Sequence, residues 1–397
     1  MLVFDPTLPT DSNPGVPHGA VVTLGNFDGV HQGHVALVAT ASTLARELGN
    51  LPVLALALDP HPRALLGQPV PAPLTTPEDR LALLRQAGAT HAALLRVSPA
   101  LLALDAETFF QKVLVQSLRA KALVEGHNFC FGRARAGTID TLKKLCPASG
   151  MRLGVVQVVA LAEGEVSSTR IRAALAEGDV TAANNLLNRP YRLRGTVVHG
   201  AHRGRTIGFP TANLAAQTVV PAPGVYACQA TLPDGGTLPA ATHIGPAPTF
   251  GDTQPRVEAH LLDFSGDLYG QHLSLDFLAR VRQPRQFPSP AELVGQLNRD
   301  ITAIRALCST AGTPAMTTPV PDDPILRVQK LCDEVLAPLY DLQTSRVRVV
   351  AIDGPVAQVR LEGACASCVA STRLLFTEIE ALLQYHKDPV EYLEVVP

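Results

Sequence analysis

Two histidines three positions apart, His31 and His34, close the segment 25–34, GNFDGVHQGH. An apolar, strand-like run, Ala20 to Leu24, precedes it. The order therefore predicts a strand, a Gly-Asn-Phe-Asp-Gly turn and a helix beginning near His31. The first backbone N–H groups of such a helix have no partner within it, and its positive dipole end favours an anion. His31 and His34 would share one face. Imidazoles suit that place, because they donate hydrogen bonds to non-bridging phosphate oxygens and can carry charge as a transition state gathers it. The chemistry indicated is the handling of nucleotide phosphates, with Gly25, Phe27, Asp28 and Gly29 forming the loop around them. Asp28 has two readings, a ligand for Mg²⁺ or a residue that shapes the turn.

Four further segments carry reactive or phosphate-seeking groups. Ser167 to Arg172, SSTRIR, leads into a helix that Gly178 stops. The hydroxyls of Ser167, Ser168 and Thr169 at its start, followed by Arg170 and Arg172, make a clamp for a polyphosphate. Gly204 to Leu214, GRTIGFPTANL, is not a Walker A loop, since the Gly-Lys-Ser/Thr ending is missing. Gly204 and Gly208 would let its backbone approach phosphates closely. Alternation along Val257, Ala259 and Leu261 puts Glu258 on the opposite face of a strand. Cys365-Ala-Ser-Cys368 opens an amphipathic pattern near the C-terminus. A CxxC pair serves zinc, redox chemistry and iron–sulfur clusters alike, and a helix start favours both ligation and redox reactivity by stabilising thiolate.

The 397 residues that must position these groups are too many for one core and predict two or three domains. The 33 basic residues nearly balance 35 acidic ones, which excludes a global electrostatic footprint for nucleic acid or an acidic membrane. The N-terminal MLVFDPTLPTDSNPG lacks signal-peptide regions, and no apolar run reaches the roughly 18 residues of a membrane helix. A cytoplasmic protein with reduced thiols is expected, its seven cysteines being odd in number and scattered.

From Val21 to about Leu187, strand candidates (21–24, 53–58, 92–97, 122–125, 154–159) alternate with helical patterns, which predicts an α/β domain with a parallel sheet over residues 1–187. One of its helices is punctuated by Thr76 as cap, Pro77 in the first turn and Gly88 at the end. Residues 188–308 turn to short strands (196–199, 224–232, 257–264, 273–278) and predict a small antiparallel β-barrel closed by a helix from about Ser289 to Leu307. Residues 309–322 read as a Pro-rich linker. Residues 323–397 form a small α+β module: a helix face through Ile325, Val328, Leu331, Val335 and Leu339, two β runs (346–352 and 356–361) about Asp353-Gly354, the CxxC helix, and a last strand 392–396.

With LDPHPRALL at 58–66 and EGHNFCFG at 125–132, GNFDGVHQGH and SSTRIR closely resemble the bacterial bifunctional riboflavin kinase/FAD synthetase family over about residues 18–308. The resemblance implies a nucleotidyltransferase-like first domain that transfers AMP from ATP to FMN and releases pyrophosphate. It makes His31 and His34 the groups on ATP's reacting phosphates, places Asn128 at the nucleotide and flavin site, and gives Ser167, Ser168, Thr169 and Arg170 the polyphosphate. GFPTAN resembles the riboflavin kinase signature, which implies that Thr211 and Asn213 bind Mg²⁺ and ATP phosphate beside Pro210, and that Glu258 is the base for the ribityl hydroxyl. His243, where that pattern has Asn, and Pro284, where it is acidic, are departures.

The third module resembles the C-terminal domain of NifU-type iron–sulfur scaffold proteins. That implies a 4Fe-4S cluster on Cys365 and Cys368 of two chains, hence a homodimer, and apo iron–sulfur proteins as acceptors. DLQTSR at 341–346 lacks the family's Gly-Gly, and Val369-Ala370 replaces its Pro-Ser. The expected partners are riboflavin, FMN and ATP with Mg²⁺, and neither nucleic acid nor a membrane. Two competing readings are an iron–sulfur carrier or sensor whose flavin domains mainly bind FMN or FAD, and an adenylyltransferase for another acceptor.

Overall fold

Six parallel strands form the first sheet: β1 (Val3–Phe4), β2 (Val21–Gly25), β3 (Val53–Asp59), β4 (His91–Arg96), β5 (Ala122–Gly126) and β6 (Arg152–Val156), in the spatial order β1-β4-β3-β2-β5-β6. The computed structural model describes residues 1–9, 12–161, 164–200, 209–245, 256–311, 328–329, 345–353, 356–363 and 392–395. The strands are apolar almost throughout, as strands covered on both faces must be: β3 buries Val53, Leu54, Ala55, Leu56 and Ala57. One face packs on a core including Phe4, Leu56, Phe110 and Leu142. The other packs on α1 (Gln32–Glu47) and α2 (Pro77–Gln86) through Val38, Ala41, Leu81 and Leu84. Thr76 caps α2 by accepting from the Asp79 N–H. The short edge strand β1 escaped the sequence reading, its two residues being too few to show a period.

Strand order reverses between β2 and β5, and there the sheet opens. The two strands pair only through Val21–Ala122 and Val22–Leu123 and then part. An open parallel sheet places ligands at such a switch point, beyond the carboxyl ends of its strands.

The helices α3 (Ser168–Glu177) and α4 (Val180–Leu187) follow, ended by the left-handed Gly178 and Asn188. Six antiparallel strands then close a barrel: β7 (Tyr191–Val198), β8 (Ala212–Ala216), β9 (Gly224–Thr231), β10 (Thr237–Gly245), β11 (Arg256–Leu261) and β12 (His272–Arg282), in the order β7-β8-β11-β10-β9-β12. β7 and β11 alternate inward and outward residues strictly, as a filled small barrel requires. β8 and β10 were missed in sequence. The first follows directly on Pro210 and Thr211, which carry a loop signature, and the second contains Pro239 and is rich in alanine, which blurs its alternation. One core runs unbroken from Ile171, Leu175 and Leu186 of α3 and α4 through Tyr191, Tyr226 and Phe277 of the barrel. Residues 1–312 form one compact unit. Within it α5 (Pro290–Ala311) lays Ile304 and Cys308 against the barrel.

The unit 313–397 is described through β13 (Ser345–Asp353), β14 (Val356–Gly363) and β15 (Tyr392–Val395). β13 and β14 form an antiparallel hairpin, and β15 adds to β14 in parallel. Cys365, Cys368 and most of the two helical patterns lie outside the described residues. Cys130, Cys146, Cys228 and Cys308 are free thiols. Among the described residues no helix is long and apolar enough to cross a membrane.

Candidate active sites

The turn 25–31 leaves the carboxyl end of β2 and enters α1, with His31 as the N-cap. The His31 side chain makes no capping bond, and the His34 N–H is spent on the His31 carbonyl at 2.8 Å, which leaves the Gln32 and Gly33 N–H groups for a ligand. His31 and His34 stack, ring centroids 3.7 Å apart and planes 18° from parallel. Phe27 meets His34 edge-on at 5.1 Å. A β-carbon at Gly33 would meet the His31 ring at 3.2 Å, so any side chain there would oblige that ring to shift by a few tenths of an ångström. Burial, then the Arg189 charge, push His31 down to about 4, against a smaller upward pull from Asp28. His34 lies well below the ordinary imidazole value because of burial, then His31, Arg80 and Arg189. Both Nδ1 atoms are buried without a hydrogen-bond partner. Two neutral imidazoles with unspent hydrogen-bonding capacity thus stand at a helix N-terminus.

Asp28 takes the second of its two readings. Its carboxylate accepts from the N–H groups of Leu74 (3.0 Å) and Thr75 (3.1 Å), from the Thr75 hydroxyl, and from Arg80 at 3.2 Å. Arg172 also donates to it. With only 7% of the residue exposed, the carboxylate ties the turn to the segment before α2 and is committed to cations already present. The two-arginine clamp is revised accordingly: Arg172 turns beneath the loop onto Asp28 and the Ala72 carbonyl. Arg170 donates to the Glu165 carbonyl.

The start of α3 reaches the same place. Ser167 caps it by accepting from the Arg170 N–H, the Ser168 hydroxyl donates to the Asp28 carbonyl at 2.7 Å, and Thr169 is exposed beside them. Two segments 140 positions apart in the chain are joined by that bond. Asn128 is exposed in the turn that leaves β5, across the opened crevice.

Three residues of this region were not singled out in sequence. Glu125 fills the parting of β2 and β5, accepting from the Leu24 N–H at 2.8 Å. Burial holds its carboxyl well above the usual range, against the smaller effect of that N–H. A glutamate within an otherwise apolar parallel strand was the available signal. Arg80 sits on the buried side of α2 beside Leu81 and Leu84. Arg189 precedes Pro190 and carries no local pattern at all.

The barrel site is built by strand register. Asn213 of β8 pairs with Glu258 of β11, and Glu258 pairs in turn with His243 of β10. The three occupy one row across adjacent strands, on the face opposite the buried Val257 and Ala259. His260, two positions along the same face, donates through Nδ1 to the Pro210 carbonyl at 2.7 Å and anchors Pro210-Thr211 at the entry of β8. Gly204 and Gly208 lie outside the described residues.

Comparison with known proteins agrees with the parallel-sheet and barrel architecture. Residues 187–308 match the riboflavin kinase family and residues 13–170 the FAD synthetase family. The bifunctional riboflavin kinase/FMN adenylyltransferase of Escherichia coli (strain K12) is 37% identical over 284 residues, covering 71% of this chain and 90% of that protein. The chain belongs to this family. The Pseudomonas fluorescens member is 38% identical over 299 residues, 73% of this chain and 94% of its own length. The Bacillus subtilis member is 35% identical over 290 residues, 71% and 90% of the two lengths. A crystal structure described as a macrolide-efflux protein from Streptococcus pneumoniae is 33% identical, covers 77% of this chain and 99% of its own, and superposes with a TM-score of 0.69. Like its relatives, the chain is a bifunctional enzyme with riboflavin kinase and FMN adenylyltransferase activities. Both family matches end by residue 308, so the NifU-type resemblance of residues 323–397 rests on sequence alone.

Proposed function

We propose that riboflavin is phosphorylated on the outer face of the barrel and that the resulting FMN is adenylylated at the β2/β5 crevice, in series. The observation that carries the second step is the stacked, neutral His31–His34 pair at the start of α1, joined to the α3 N-terminus through Ser168 and Asp28. Adenylyl transfer brings the FMN phosphate in line with the α-phosphorus of ATP, forms one P–O bond and expels pyrophosphate. It needs positioned hydrogen-bond donors more than a protein nucleophile. His31 and His34 hold the reacting phosphates from α1, while Ser167, Thr169 and Arg170 hold them from α3, with Ser168 contributing through its backbone N–H because its hydroxyl is committed to the Asp28 carbonyl. Gly25, Phe27 and Gly29 shape the loop, and Asn128 stands on the opposite lip.

In the barrel Glu258 takes the proton of the ribityl 5′-hydroxyl as its oxygen bonds to the γ-phosphorus and ADP leaves. The register pair Asn213–Glu258 supports this by placing a phosphate-side group directly beside the base. Thr211 and Asn213 offer hard, neutral oxygens of the kind Mg²⁺ accepts, with the remaining positions left to water and ATP. Bound with ATP, Mg²⁺ neutralises charge on the phosphates. Gly204, Gly208 and Pro210 complete the phosphate loop.

The test follows riboflavin, FMN and FAD chromatographically with ATP and Mg²⁺ in the wild type, Glu258→Ala and His31→Ala/His34→Ala. Glu258→Ala stops before FMN and the double variant accumulates FMN. FAD formation by the double variant, or no turnover in the wild type, refutes the scheme.

For residues 323–397 the proposed role is an iron–sulfur cluster held by Cys365 and Cys368 of two chains and passed to apo iron–sulfur proteins. The support is the CxxC spacing together with the hairpin and parallel third strand. Anaerobic reconstitution checks it: a dimer with cluster absorbance, lost in Cys365→Ser, is expected. A monomer without absorbance removes it, and with it the carrier alternative.

A further inference from the structure

The turn that presents His31 is held in an unfavourable backbone conformation. Phe27 has φ 48°, Gly29 φ 84° and Val30 φ 41°. A positive φ is foreign to β-branched valine, and such a turn persists only where its surroundings over-determine it. Three clamps do so. The Asp28 carboxylate grips Leu74, Thr75, Arg80 and Arg172, and Ser168 grips the Asp28 carbonyl.

The third clamp is Arg189. Its Nη2 donates to the Gly29 carbonyl at 2.6 Å, and its Nη1 donates to the carbonyls of Val30 and Leu187, both at 3.3 Å. We propose that Arg189 is a positioning residue for adenylyl transfer, supplied to the adenylyltransferase by the segment that leads into the kinase barrel.

These two peptides are planar, so pinning the Gly29 and Val30 carbonyls also fixes the direction of the Val30 and His31 N–H groups, and with them the entry of α1. The planar guanidinium fork spans two carbonyls at once, which a lysine ammonium at the end of a flexible stem does not reproduce. No carboxylate forms a salt bridge with Arg189 among the described residues, and its fork is spent on backbone alone. Burial lowers its pKa only to about 10, so it stays charged at neutral pH. Arg189 belongs to the stretch matching riboflavin kinase, residues 187–308, whereas both carbonyls in the turn belong to the stretch matching FAD synthetase, residues 13–170. The core shared by α3, α4 and the barrel keeps the arginine in reach.

This inference rests on the reading that His31 and His34 act on ATP phosphates, and its test separates the two. In the full chain, FMN-to-FAD and riboflavin-to-FMN kinetics are measured in parallel for the wild type, Arg189→Met, Arg189→Lys and His31→Ala. A cavity of about 210 Å³, lined by Leu74, Leu187 and Tyr191 as well as Arg189, leaves room for the methionine. Arg189→Met lowers kcat for FAD formation by about tenfold or more, as small misplacements of reacting groups do. Its KM values and its kinase kcat stay near those of the wild type, and Arg189→Lys falls between. Unchanged FAD formation in Arg189→Met, or equal losses in both activities, overturns the proposal. If the methionine variant does not fold, Arg189→Lys decides by the same two readouts. If His31→Ala retains FAD formation, the phosphate reading itself is wrong. If only His31→Ala loses it, the histidine reading stands and Arg189 is not a positioning residue.

Discussion

The two sites solve the same problem, holding ATP and a flavin together, by different structural means. At the crevice, the groups come from the turn after β2 and from two helix starts, cross-tied by Asp28, Ser168 and Arg189. On the barrel, Asn213, Glu258 and His243 need no cross-ties, because strand register alone sets them side by side. A ladder places side chains through backbone pairing that the whole barrel maintains. A turn with positive-φ residues holds its shape only through specific polar anchors. The barrel site should therefore lose function mainly when a reacting group is changed, and the crevice also when an anchor is changed.

The sharpest test on the barrel is Glu258→Gln, which keeps the register and removes the carboxylate proposed as the base. Riboflavin phosphorylation is expected to fall by about 10²–10⁴-fold with FAD formation from added FMN unchanged. A mild loss would show that register without a base suffices. At the crevice, Asp28→Asn removes a buried anion from beneath Arg80 and Arg172, and denaturant unfolding should register a loss of about 3–5 kcal/mol. FAD formation is expected to fall more steeply than kinase activity. Equal falls would mean that the anchor serves the whole unit.

Smaller effects follow from protonation. Glu125 has a folded value above its unfolded one, so its contribution is fully present below the unfolded value and is lost as pH rises toward the folded value. Glu125→Gln keeps an acceptor for the Leu24 N–H without a charge to bury. Its melting temperature should exceed the wild type's by more at about pH 8 than at about pH 5. A constant difference would remove the carboxyl from that account. His31 has the opposite linkage: its folded value of about 4 lies below the ordinary 6.5, so stability falls as pH drops from 6.5 toward 4. Its NMR signals in the free enzyme should not titrate between about pH 5 and 8. A midpoint near 6.5 would show the pair to be solvated, contrary to the anchored crevice.

By itself the sequence determined phosphate-handling chemistry and the layers that house it, and the resemblance of its motifs to the riboflavin kinase/FAD synthetase family supplied the reaction class. GNFDGVHQGH, SSTR and PTAN are contiguous segments whose residue types state their chemistry, and apolar alternation is a local property that survives without contacts. Period-two patterning assigned only the face of Glu258, and the role proposed for it came from the resemblance of the surrounding motifs. Tertiary structure alone decided what meets what. The pairing of Asn213 with Glu258 depends on β8, a strand that Pro210 and Thr211 disguise as loop. The commitment of Arg172 to Asp28, the filling of the β2/β5 parting by Glu125 and the grip of Arg189 on the Gly29 carbonyl join residues about 100 to 160 positions apart. A buried charge must find its partner wherever folding brings one within hydrogen-bond reach. That distance exists only once the chain is folded.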